Sequence, residues 1–152
     1  MRGRAWAGVV AVAGGLAVSG CSADVAGAWW GYEEQCAAEQ HEYGDRLVEE
    51  AAALVDALGG STEGEFWCDD SAGPPGSVDV ELEVVGDLAD LEDRVESAGW
   101  TLTSRVAGSA ENGLGAGTQE LEFTQDVDPG IRLGLVWAAP GVRPEGWISR
   151  TG

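Results

Sequence analysis

A strict alternation of apolar and acidic residues in the middle of the chain places the strongest constraint on its fold. Residues 78–84 read Val-Asp-Val-Glu-Leu-Glu-Val. Because successive side chains of a β-strand point to opposite faces, this pattern predicts a strand with one buried and one solvated face. Such strands are typical of an antiparallel sheet whose second face is open to water.

A short helix and another alternating segment follow this strand. Asp87 is suited to cap the helix N-terminus, and Gly99 stands where a left-handed residue commonly ends a helix. The apolar positions in between have helical spacing: Leu88, Leu91, Val95 and Ala98. Residues 100–106 alternate again, so residues 78–106 predict a β-α-β unit.

A longer amphipathic helix is predicted nearer the N-terminus, over residues 33–58, and the Gly59-Gly60 pair ends it. Its apolar stripe comprises Cys36, Tyr43, Leu47, Ala51, Leu54, Val55 and Leu58. Its opposite face carries carboxylates and amides at Glu34, Gln35, Glu39, Glu42, Asp45, Glu49 and Glu50. Because these groups are spread along the helix, they indicate a solvated face and not a cation site.

Further strands are predicted over residues 63–68, with Phe66 inward, and over residues 118–125 and 131–137. The last two are joined by Asp-Val-Asp-Pro-Gly at residues 126–130, a sequence suited to a turn, so they predict a hairpin. The glycine-rich residues 107–117 predict a loop.

The C-terminal residues 138–152 contain two prolines and little pattern, and we expect a flap in which Val142, Trp147 and Ile148 pack. Amphipathic helices and half-wet strands bury their apolar faces most economically against each other. The predicted fold is therefore an α+β two-layer sandwich, with two helices on a mostly antiparallel sheet of four to five strands. Strand order is left open.

The N-terminus has the features of an export signal. Arg2 and Arg4 precede an apolar run over residues 5–18, and residues 16–21 read Leu-Ala-Val-Ser-Gly-Cys. This segment resembles the lipobox of bacterial lipoprotein precursors. The resemblance implies removal of residues 1–20, acylation of Cys21 with diacylglycerol, and attachment to the extracytoplasmic face of the cell membrane. The lysine-free composition, rich in Ala, Gly and Val, suggests an actinobacterial source.

In this interpretation residues 21–30 form the lipid anchor and a tether, and residues 31–152 form one acidic domain. Trp29 and Trp30 end the tether, where they either touch the lipid–water interface or cover the start of the first helix. After Cys21, the remaining cysteines are Cys36 and Cys68. In an exported chain an even pair predicts a structural disulfide. Two free thiols or a metal-binding pair are the alternatives.

The charge of the mature chain limits its partners. Residues 21–152 contain 27 acidic residues, six arginines and no lysine, which gives a net charge of −21. Nucleic acid is excluded as a partner because its binding depends on cationic side chains that meet phosphates. The lipobox resemblance implies contact with the membrane through the acyl chains. The charge favours a cationic ligand, and an envelope protein is the other partner that we expect.

No residue pattern predicts catalysis or a cofactor. His41 is the only histidine, and no Gly-x-Ser-x-Gly turn accompanies it. The aspartates at 69–70, Asp126 and Asp128 lie in predicted turns without EF-hand spacing, so turn formation explains them without calcium. Trp67, Trp100 and Trp137 fall in strand patterns and suit a core, although an aromatic cleft is an alternative. We therefore expect a binding or accessory envelope module, with a small enzyme hydrolysing wall glycan or peptide as the alternative.

Overall fold

The computed structural model describes residues 34–68 and 76–151. Residues 34–39 are helical, Gln40–Gly44 form a π-helical segment, and helix α1 continues over Asp45–Leu58. The second helix, α2, spans Leu88–Ser97. The described residues also contain six strands: β1 Gly60–Trp67, β2 Ser77–Leu82, β3 Trp100–Ala107, β4 Gln119–Gln125, β5 Ile131–Trp137 and β6 Glu145–Arg150.

The strands form one open sheet in the order β1-β2-β6-β5-β4-β3, and every neighbouring pair is antiparallel. The α+β class, the two helices and the antiparallel sheet are thus as the sequence predicts. The predicted number of four to five strands is wrong, because β6 makes a sixth.

The missing strand lies in the segment predicted to be a flap. Residues 145–150 form β6, which hydrogen-bonds to β2 on one side and to β5 on the other. Pro140 and Pro144 weaken the strand signal of this segment in the sequence. Both lie before β6, so their missing amide hydrogens remove no hydrogen bond between strands.

The predicted β-α-β unit also has a different form from the usual one. Strands β2 and β3 flank α2 in sequence, but β6, β5 and β4 separate them in the sheet. Helix α2 therefore carries the chain across the inner face from β2 to the edge strand β3. There Arg94 donates a hydrogen bond to the carbonyl of Leu58, which ties α2 to the end of α1.

The local signals at both helices act as predicted. Asp87 accepts a hydrogen bond from the Asp90 amide at 2.9 Å and so caps α2, and Gly99 adopts a φ of 91° after it. At the end of α1, Gly59 has a φ of 80° and donates to the Val55 carbonyl at 2.7 Å.

The core lies between the helices and one face of the sheet, which we call the inner face. One row of paired residues crosses all six strands on this face: Phe66, Val78, Ile148, Leu133, Phe123 and Leu102. The buried side chains of both helices join the same cluster: Leu47, Ala51, Leu54 and Leu58 of α1, with Leu91 and Val95 of α2. Both helices therefore cover the inner face, and no helix within residues 34–68 and 76–151 packs on the opposite, outer face.

Candidate binding surface

The outer face of the sheet is built from the polar positions of the alternating strands. One row of paired residues runs Ser61, Glu81, Glu145, Val136, Glu120 and Val106. The neighbouring row runs Asp79, Trp147, Gly134, Glu122 and Ser104. The same period of two that buries one side of each strand therefore gathers carboxylates around Trp147 on the other side.

Two depressions in the outer face meet at this tryptophan. The larger one, which we call the main depression, has a volume of about 650 Å³ and crosses strands β1, β2, β6 and β5. Its lining includes Thr62, Asp79, Glu81, Val136, Glu145 and Trp147. The second, the side depression, has a volume of about 210 Å³ and crosses β6, β5 and β4; its lining includes Glu122, Arg132, Gly134, Trp147 and Ser149.

The indole of Trp147 lies directly on Gly134 of the neighbouring strand. A Cβ atom at position 134 would lie 2.5 Å from both Cε2 and Cζ2 of Trp147, which is closer than real Cβ contacts. The absence of a side chain at Gly134 thus leaves the space that the ring occupies. Trp147 is only partly buried, so its remaining surface borders the two depressions.

The main depression is negatively charged. Four carboxylates line it, those of Glu63, Asp79, Glu81 and Glu145. Arg143 pairs with Glu81 at 2.5 Å, whereas no arginine in the described part of the chain lies within 4.0 Å of the other three. The local formal charge is −3 with Arg143 included. In the side depression Arg132 pairs with Glu122 at 2.6 Å, which leaves that end closer to neutral.

A second polar cluster, on the turn between β4 and β5, holds the α1 region against the sheet. Asp128 lies 3.0 Å from both Arg46 and Arg150, and its carboxylate also accepts the Gly130 amide at 3.1 Å. The Gly130 hydrogen bond, followed by that from Arg150, lowers the pKa of Asp128. Asp126 accepts from the Thr101 hydroxyl at 2.7 Å. Asp128 therefore bonds within the turn, whereas Asp126 ties the start of the turn to β3.

Tyr43 belongs to the same end of the molecule. Its ring meets Phe66 edge-on, with centroids 6.3 Å apart, and the Arg150 guanidinium lies 5.7 Å from its centroid. Burial, then the hydrogen bond and negative charge of Glu39, raise the pKa of Tyr43 to about 12. Arg150 contacts both Asp128 and Tyr43, so this cluster joins β6 to the β4–β5 turn and to the π-helical segment. Its two arginines, Arg46 and Arg150, are both paired with Asp128.

The structure places the other sequence-predicted residues as follows. The Cα atoms of Cys36 and Cys68 are 5.9 Å apart, a separation typical of a disulfide. His41 is exposed in the π-helical segment. Trp100 is buried, Trp137 is partly buried, and Trp67 is 47% exposed. Cys21, Trp29, Trp30 and the aspartates at 69–70 lie outside the described residues.

Trp147 and Gly134 are the site residues that the sequence pattern does not reveal directly. The pattern predicts a flap around Trp147, and Gly134 lies within the predicted strand over residues 131–137. A usable signal was present: Gly134 interrupts the outward-facing positions of an otherwise regular strand, and such a glycine marks the close approach of another group.

Comparisons with protein-family models, curated proteins and solved structures give no match for this chain. Between residues 34–68 and 76–151, no helix has the length and apolarity that a membrane crossing needs. The same residues contain no group of three or more metal-binding side chains placed to hold an ion.

Proposed function

We propose that this protein is a lipid-anchored envelope component on the extracytoplasmic face of the cell membrane, and that it acts by binding. In this proposal Cys21 carries the acyl chains, residues 21–30 form the tether, and the outer face of the sheet is the binding surface. The domain displays this surface away from its helices, toward other molecules of the envelope.

The observation that carries the binding proposal is the main depression with Trp147 at its edge. Ligand sites are concave and combine apolar or aromatic surface with a few polar groups. The main depression supplies an indole, the apolar Val136 and several carboxylates. Its carboxylates lie on an open sheet face, whereas hydrolysis of a glycan needs two held at a fixed separation across a substrate groove.

The anchoring part of the proposal is supported by the leader and is tested separately. We expect the protein to fractionate with membranes, and Cys21→Ser to leave an unprocessed precursor. Ser22→Ala, next to the cleavage point, is the matched control and should be processed normally. A mature N-terminus that mass spectrometry finds unmodified, or at a residue other than Cys21, would refute the anchor.

The binding part is tested with a photo-crosslinking amino acid in the anchored protein in intact cells. Glu145, at the main depression, is compared with Glu49, an exposed position on α1. We expect a discrete adduct from position 145 and none from position 49. Equal adducts from both positions, or none from either, would contradict a binding surface on the outer face. Release of wall fragments by the purified domain would identify an enzyme instead.

A further inference from the structure

The charge and shape of the outer face indicate what it binds. We infer that the outer face docks a basic segment of another polypeptide, with an arginine side chain against Trp147 and between Asp79 and Glu145. This inference rests on the proposed function and names the partner of the same surface.

Charge complementarity selects a cation as the occupant. The main depression has a local formal charge of −3, with Asp79 and Glu145 free of ion pairs among the described residues. A second copy of this chain would bring the same acidic surface and a net charge of −21, so it would be repelled. An arginine-bearing partner would be steered to the surface by the same field.

The indole selects the guanidinium group among cations. The indole of Trp147 lies against Gly134 and borders the main depression, which is also lined by Asp79 and Glu145. A guanidinium stacks on an indole and at the same time donates in-plane hydrogen bonds to carboxylates. An ammonium group is also attracted to the indole and to the carboxylates, but it has no flat surface that can stack on the ring.

The extent of the two depressions favours a polypeptide segment. Together they cross β1, β2, β6, β5 and β4. Since neighbouring strands are about 4.8 Å apart, five strands span about 19 Å, close to the length of six extended residues. In an extended segment alternate side chains point to the same side, so arginine at every second position keeps guanidinium groups on the side that faces the sheet.

The test measures binding of acetyl-Arg-Ser-Arg-Ser-Arg-Ser-amide to the domain over residues 21–152 with Cys21→Ser, by calorimetry at low and physiological salt. Asp79→Asn with Glu145→Gln should weaken binding about tenfold at low salt, because two exposed carboxylate contacts are lost. The matched control, Glu49→Gln with Asp56→Asn on exposed positions of α1, changes the net charge equally and should weaken binding less than about twofold.

Two further comparisons isolate the indole. Trp147→Leu should weaken binding about threefold to fivefold, as the loss of an exposed cation–π contact implies. Trp67→Leu removes another exposed tryptophan, which lies outside both depressions, and should leave binding unchanged. The lysine version of the peptide should bind about threefold more weakly than the arginine version. Circular dichroism of each variant verifies that it is folded.

Several outcomes would overturn the inference. Equal weakening by the two charge variants would show general attraction without a site, and equal affinity for the arginine and lysine peptides would exclude stacking. A concentration-dependent dimer that Trp147→Leu abolishes would show that the face packs on a second copy. If the peptide does not bind while position 145 still gives a discrete adduct, the binding function stands and its ligand is not basic.

Discussion

The position of Trp147 on the outer face depends on the absence of a side chain at Gly134. Gly134 leaves the space that the Trp147 indole fills, and Ala would place a Cβ 2.5 Å from two ring atoms. Gly134 is not among the residues with positive φ, so Ala fits its backbone and the substitution tests the contact alone.

We expect Gly134→Ala to push the indole off the sheet at little cost to folding. Because the ring is partly exposed and can swing outward, the free energy of unfolding should fall by less than about 1 kcal/mol, below the cost of overpacking a core. Denaturant unfolding measures this change, and peptide binding should weaken as it does in Trp147→Leu. A loss of several kcal/mol would show that the indole cannot move.

Tyr43 offers a titration that reports on the contact between the α1 region and the sheet. Its pKa is raised from 10.0 to about 12 in the folded protein, so the neutral phenol is favoured by folding. This contribution to stability is complete below pH 10 and is lost as the pH rises from 10 to about 12. In a Tyr32→Phe background Tyr43 is the only tyrosine.

Absorbance at 295 nm should therefore show an ionisation midpoint near pH 12 in the folded protein. Glu39→Gln removes the hydrogen-bonding carboxylate and its charge, and it should lower the midpoint toward 10. Phe66→Leu, which removes the edge-on aromatic contact but no charge, is the control. A midpoint near 10 in protein that remains folded would contradict the burial of this phenol.

Residues whose role is set by period and polarity were predictable from the sequence. The apolar stripe of the first helix is buried at Leu47, Ala51, Leu54 and Leu58, as its spacing requires. Trp147 was not predictable in this way, because its position depends on a glycine of another strand, 13 residues earlier in the chain. The local pattern of β5 marks a close approach at Gly134, but it does not identify the residue that approaches.

At the scale of elements, the paired cysteines connect the helical segment before α1 to the end of β1. Cys36 is 2% exposed, and its Cα lies 5.9 Å from that of Cys68, across a sequence separation of 32. If the disulfide forms, closing a loop of this length stabilises the folded state by about 3.5 kcal/mol in the chain-entropy model.

We expect Cys36→Ser with Cys68→Ser to lower the free energy of unfolding by up to that amount. Reduction of the wild-type domain should give a similar loss, and it should not change the stability of the double variant further. Thiol labelling of the oxidised domain provides the direct measurement. Free labelling of both cysteines in the native, oxidised protein would leave them as two thiols.

Elements with a clear local signature were predicted to within a few residues, and the one without such a signature was missed. The segments over residues 100–106, 118–125 and 131–137 are strands, and Asp87 caps α2. The sequence of β6, Glu-Gly-Trp-Ile-Ser-Arg, follows a proline and has a glycine at its second position, both of which lower the strand signal. Strand β6 forms because it lies between β2 and β5 and hydrogen-bonds to both, although its own sequence has a weak strand signal.

At the scale of the whole molecule, strand order could not be predicted from the sequence, and the reason is physical. Strand β2 is followed in sequence by α2 and β3, yet its neighbours in the sheet are β1 and β6. Pairing of this kind depends on which apolar faces meet across long loops, not on the period of any single segment. The charge of the molecule, in contrast, follows from composition alone.

This charge leads to a prediction about salt. The 21 net negative charges of residues 21–152 repel one another more in the compact fold than in the expanded chain. The screening length falls from about 30 Å at 0.01 M ionic strength to about 8 Å at 0.15 M, so added salt should relieve the repulsion. We expect the melting temperature to rise by about 2–5 °C over this range, as a gain near 1 kcal/mol implies for a domain of this size.

CaCl₂ and MgCl₂ should raise the melting temperature as much as NaCl does at equal ionic strength. Asp128, the acidic residue of the β4–β5 turn with the most contacts, is already paired with Arg46 and Arg150, so the turn has no free carboxylate pair for a specific ion. A variant with Glu49→Gln, Asp56→Asn and Glu96→Gln, all at exposed helical positions, should show a smaller rise with salt. Melting curves in NaCl, MgCl₂ and CaCl₂ decide the matter: a midpoint indifferent to salt would mean that the charges are too dispersed to act together. A saturable shift with calcium alone would reveal an ion site that the arginine pairs of Asp128 argue against.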